Sequence, residues 1–100
     1  MSTLHLLAHS PFNDNRFSSC LPLLAETDGL LLSGDAVYAL QPESATLQSL
    51  QQLADGIALF ALQEDLDARG LDALPERVTA VDYAAFVELC IAFNRVNSWL

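Results

Sequence analysis

The chain contains no lysine. Its bases are four arginines, Arg16, Arg69, Arg77 and Arg95, set against thirteen acids, which leaves a formal charge of −9 over 100 residues. A surface of that sign repels a phosphate backbone and argues against direct binding to nucleic acid. Cysteine is also scarce: Cys20 and Cys90 are the two, far apart and without a C-x-x-C pair. That excludes a disulfide framework or a zinc pattern and predicts two thiols in a reducing compartment. No apolar run approaches the roughly 18 to 20 residues that span a bilayer. The first residues lack the basic flank, apolar stretch and small-residue cleavage site of a leader. The expected location is therefore the cytoplasm, with no membrane partner. Neither G-x-G-x-x-G nor G-x-x-x-x-G-K-[ST] occurs, which disfavours nucleotide binding. No cofactor and no metal are expected.

What the chain does have is apolar side chains. Hydrophobic residues make up 52% and charged residues 17%, against about 25% charged in ordinary domains. Its length fits a single domain over 1–100, for which size scaling leaves about 5,600 Å² exposed out of about 15,800 Å² unfolded. One modest core cannot hide so much apolar surface, and large exposed patches are rare on soluble monomers, so an oligomer is expected. The acids are spread along the sequence, as solvated faces are, and form no tail.

Thr3 to Ala8 reads as a short strand, followed by turn and helix-start residues at Ser10, Pro11, Asn13 and Asp14. A first helix is expected to end near Thr27. Leu30-Leu31-Leu32, bounded by Asp28-Gly29 and Ser33-Gly34-Asp35, is a strand-length apolar run, consistent with a strand covered on both faces. Ala36 to Leu40 is ambiguous between a strand and a helical turn, and is taken as a turn. Glu43 to Ala54 places Leu47, Leu50 and Leu53 at helical spacing. Ile57 to Leu62 is a second buried-strand run, followed by an acidic helix start at Gln63-Glu64-Asp65 and a stop at Gly70. Val78 to Val81 is another strand, leading into a long amphipathic helix. Val96 to Leu100 is an apolar tail that either adds a strand or packs on a neighbour. Strands alternating with helices predict an α/β fold, a three-layer α/β/α sandwich around a small, mostly parallel sheet of four to five strands.

In such sheets ligands lie beyond the carboxyl ends of the strands. Those ends are His9-Ser10-Pro11, Ser33-Gly34-Asp35, Gln63-Glu64-Asp65 and Asp82-Tyr83. A Ser10-His9-Asp35 arrangement has only generic spacing and no nucleophile elbow. His5 and His9, without a Cys or acid at ligand spacing, make no metal site; His9, where the strand ends, is the better functional candidate. The acidic turn Glu64-Asp65 suits a helix dipole, and Asp82 suits an N-cap.

Cys20 has two readings. If the helix starts by Asn15, Phe17, Cys20, Leu21 and Leu24 share one face and Cys20 is an inert core residue. If Pro22 belongs to the first turn, the helix starts at Ser18 or Ser19 and Cys20 lies at an N-terminus. There the dipole and Arg16 would favour a thiolate able to carry sulfur. Cys90, grouped with Phe86, Val87 and Phe93, reads as packing.

Leu4-His5, Ser10-Pro11-Phe12, Asp28 to Leu32, Gly34 to Val37, Ala61 to Leu71 and Val81 to Val87 are each short. Their order and spacing give a sequence that resembles the TusB/DsrH family. The resemblance implies a DsrEFH-like fold and a subunit of a TusBCD-like heterohexamer, with TusC-like and TusD-like partners. Such an assembly passes persulfide sulfur between proteins, by way of sulfur-carrier proteins, toward 2-thiolation of the tRNA wobble uridine. The resemblance also implies that the relay cysteine belongs to the TusD-type partner, which leaves this chain non-catalytic or auxiliary. DsrH-type chains of sulfur oxidisers carry a cysteine in the first helix, at the place of Cys20. The alternatives are a DsrH-type subunit of a dissimilatory sulfur-oxidation complex with Cys20 as a sulfur-carrying thiol, or a stand-alone Cys20 sulfurtransferase.

Overall fold

In the computed structural model, which describes residues 2–99, five strands form one sheet: β1 (Thr3–Leu7), β2 (Gly29–Leu32), β3 (Ala58–Leu62), β4 (Val78–Val81) and β5 (Arg95–Trp99). They lie in the order β4-β3-β2-β1-β5, and every pairing is parallel. The helices are α1 (Arg16–Cys20), α2 (Ala45–Gln51), α3 (Gln63–Ala68) and α4 (Tyr83–Ala92), with 3-10 segments at Leu21–Leu23 and Gly34–Leu40.

The first four strands step across the sheet in one direction, and every helix joining them packs on the same face. Leu7, Leu30, Leu32, Leu59 and Val78 on that face meet Phe17, Cys20, Val37, Leu50 and Leu66 in the larger core. The step from β4 to β5 runs the other way, across the whole sheet. Because crossovers keep one hand, its helix falls on the opposite face. There, among the described residues, α4 is the one helix covering Leu4, Leu31, Leu62 and Val81. The sandwich has three layers as expected, but unequal ones.

The accessible surface is 5534 Å², close to the scaling value of about 5,600 Å². The chain thus folds to ordinary compactness, and its apolar excess resides on the surface.

Several boundaries follow from local chemistry. Gly70 (φ 67°) ends α3 in a Schellman motif, with Leu71 N–H donating to the Leu66 carbonyl at 3.0 Å and Gly70 N–H to that of Asp67 at 3.3 Å. Asp82 caps α4, accepting from Ala85 N–H at 2.8 Å. Ser44 caps α2, accepting from Leu47 N–H at 3.1 Å, and this helix is shorter than the 43–54 expectation because Glu43 sits at φ 64°. The ambiguous Ala36 to Leu40 stretch is helical, within the longer 3-10 segment. The first helix does not reach Thr27. Pro22 has no N–H to continue an α-helix, so the chain tightens into the Leu21–Leu23 turn and leaves it extended at Leu24. The 96–100 tail adds a strand through Trp99; Leu100 lies outside the described residues.

Candidate functional site

At the carboxyl edge of the sheet, the polar side chains serve the loops. Gly34, at φ 50°, donates its N–H to Asp65 Oδ2 at 2.8 Å, tying the loop after β2 to the start of α3. Arg69 reaches back from the end of α3 to Asp35 at 2.8 Å and Asp65 at 3.7 Å, and lies 5.7 Å from the centre of the Tyr38 ring. Ser10 Oγ accepts from Phe12 N–H at 3.3 Å, and His9 is exposed. With Asp35 held by Arg69 and Ser10 by its own turn, the strand ends assemble no Ser-His-Asp group. Among the described residues no enclosed pocket opens and no cluster of His, Cys, Asp and Glu has metal-binding geometry.

Cys20 is the last residue of α1, which starts at Arg16, one residue after Asn15. It is 0% exposed, packed in the core with Phe17. Burial, and secondarily the charge of Asp28, push its thiol up to about 11. The Arg16 guanidinium is engaged with Asp14. At pH 7 a thiol with that value is ionised in about one molecule in ten thousand, and the thiolate is the nucleophile. Cys90 is half-buried beside Phe86, Leu89 and Phe93. Val87, which its position in the sequence groups with them, faces outward.

Beside this core lies a buried polar network. Asp28 accepts from Thr3 N–H at 2.9 Å and Ala25 N–H at 3.0 Å, and its Oδ2 lies 3.3 Å from His5 Nε2. Trp99 donates its indole N–H to His5 Nδ1 at 3.1 Å, so these partners assign the ring proton to Nε2, where it is donated to Asp28. Burial alone would raise the Asp28 carboxyl, but the backbone N–H groups of Ala25 and Thr3, together with His5, outweigh it and hold the carboxyl below its usual range. The network joins β1, the turn before β2, and β5. His5 is the histidine the fold builds into its interior, while His9 stands exposed where the strand ends. No spacing in the sequence marks these residues, because His5 and Trp99 meet only when the first and last strands pair.

The second feature is the outer side of α4. Among the described residues this helix buries none of its own. Tyr83, Val87 and Ile91, spaced by four, are 57%, 55% and 78% exposed, and Glu88 is the charged residue within the helix. The amphipathic helix expected here is instead apolar on most of its circumference. Val96 of β5 pairs with Leu4, which places it on the same side of the sheet, and it too is exposed.

Comparison with known proteins relates the chain to a family, to two relatives and to two solved structures. The family described as DsrH like protein matches residues 9–96. A protein named TusB from Erwinia tasmaniensis is 41% identical over 97 residues, covering 96% of this chain and 99% of its own length. A protein of the same name from Salmonella arizonae is 37% identical over the same span. Among solved structures, the crystal structure of the ychN protein from E. coli superposes with a TM-score of 0.85 over 99% of both chains at 17% identity. The MTH1491 protein of Methanobacterium thermoautotrophicum does so at 0.68 over 96% of both. At such identities these two establish the fold alone.

Proposed function

The chain belongs to the DsrH like protein family, and on that premise we propose that it is a subunit of a sulfur-relay assembly, contributing contact surface and no reaction centre of its own. The assembly is a cytoplasmic heterohexamer with TusC-like and TusD-like chains, in which residues 1–100 form one domain. It hands persulfide sulfur along a series of proteins toward 2-thiolation of the tRNA wobble uridine. At each step the thiolate of the receiving protein attacks the terminal sulfur of the donor's persulfide. A new S–S bond forms, the donor's S–S bond breaks, and the donor leaves as a thiolate. The tRNA is met by other members of the pathway, in keeping with a net charge of −9.

The observation that carries this reading is the apolar, outward-facing α4 on a subunit whose strand ends form no pocket. Co-expression with TusC-like and TusD-like chains of the same organism, followed by mass measurement in solution, tests it. The expected result is a mixed complex with two copies of each chain; recovery of this chain alone overturns the reading.

A second reading rests on the place of Cys20 in the first helical segment. There Cys20 is the sulfur-carrying thiol, in a dissimilatory sulfur-oxidation complex or in a stand-alone sulfurtransferase. It requires the segment around Phe17 and Leu21 to open, since the thiol is enclosed. Loss of sulfur loading by Cys20→Ser in an intact assembly supports it, and unchanged relay dismisses it.

A further inference from the structure

The face opposite the main core is unfinished, and its chemistry constrains what completes it. One helix covers a five-stranded sheet there, and that helix presents Tyr83, Val87 and Ile91 to solvent while packing Phe86, Leu89 and Phe93 inward. A helix apolar on most sides belongs inside a structure. Val96 extends the patch onto β5, so among the described residues four of the six large exposed hydrophobic residues lie on this side. Resting on the subunit reading above, we infer that the outer side of α4, continued by Val96, is the docking surface for a different polypeptide carrying an apolar patch within a basic rim, and not for a second copy of this chain.

Charge selects between those occupants. Each copy carries −9. Three of the four arginines are already engaged within the subunit: Arg16 with Asp14, Arg69 with Asp35 and Asp65, and Arg77 with the carbonyls of Leu53 and Ile57 in the loop between α2 and β3. The fourth, Arg95, is exposed but alternates with Val96 onto the other side of the sheet. The acids bordering the patch, Asp82 and Glu88, would be doubled in a contact between two copies. A rim bearing lysine or arginine would meet Asp82 and Glu88 with opposite charge, and such complementarity sets partner choice and speeds encounter.

The test uses the full chain and its TusC-like and TusD-like partners. The double variant Val87→Glu, Ile91→Glu alters exposed side chains that belong to neither core cluster, so the isolated subunit should unfold close to the wild-type temperature. Its binding to the partners should weaken by at least about a hundredfold, as loss of two central apolar contacts does. Leu23→Glu, an exposed site on the opposite side of the sheet, should assemble normally. Raising ionic strength should slow assembly of the wild type. If the double variant assembles like the wild type, the docking surface lies elsewhere although the subunit reading stands. If the wild type forms no mixed complex, the subunit reading itself fails. A homodimer abolished by the double variant, or an assembly rate indifferent to salt, overturns the assignment of a basic partner.

Discussion

At the scale of single residues, Cys20 and Asp28 show how burial decides chemistry. Cys20 should resist iodoacetamide in the native isolated subunit while Cys90 is modified first, as peptide mass spectrometry would report; rapid native labelling of Cys20 would contradict its enclosure. Its thiol ionises near 9.0 when unfolded and near 11 when folded. The folded state therefore binds more protons between those values. The stability owed to Cys20 is complete below the unfolded value and is lost as pH rises toward the folded one. Urea unfolding across that interval should show a steeper alkaline decline in the wild type than in Cys20→Ala. Both descriptions of Cys20 were available from the sequence, and what separated them was the effect of one proline on a short helix. Asp28 was legible only as a turn residue before Gly29. Only Ala25 comes from its own turn, while Thr3 and His5 are supplied by β1, so no local pattern announces the network.

At the scale of elements, stops and caps were the most readable features. Gly70 and Asp82 act through the residues next to them in sequence, and both do what their chemistry dictates. The start of α2 was misplaced because Glu43 adopts a left-handed backbone that its side chain does not advertise. Gly29 illustrates a constraint set between elements. A Cβ there would lie 2.6 Å from the tip of Phe93 and 3.2 Å from Leu4, so the glycine makes room for the end of α4 to settle on the sheet. Gly29→Ala should cost about 1–3 kcal/mol, as overpacking does, and should raise hydrogen exchange in α4 more than in α2. Uniform exchange across both helices would show that the close approach has no consequence for docking.

At the scale of the whole molecule, the alternation of strands and helices disclosed the class of fold, while the strand order stayed hidden. Order depends on which edge the last strand chooses, and Arg95 to Trp99 carries one strongly apolar aliphatic residue, Val96, with which to signal it. The apolar excess was legible as composition; its concentration on one side follows from the reversal between β4 and β5, which leaves a single helix over that side. The isolated subunit should accordingly bind an environment-sensitive apolar dye, and the signal should fall when Val87 and Ile91 are both made Glu. Dye fluorescence unaffected by that change would place the apolar surface elsewhere.

The pairing of β5 with β1 has a consequence for biosynthesis. The opening strand has no neighbour on its outer side until Trp99 has emerged from the ribosome, so during translation the backbone of Thr3 to Leu7 presents an unpaired edge. Val96 takes its place beside Leu4 only when that pairing forms, so the exposed apolar side is completed late in folding, after the α4 residues that make up most of it have already been synthesised.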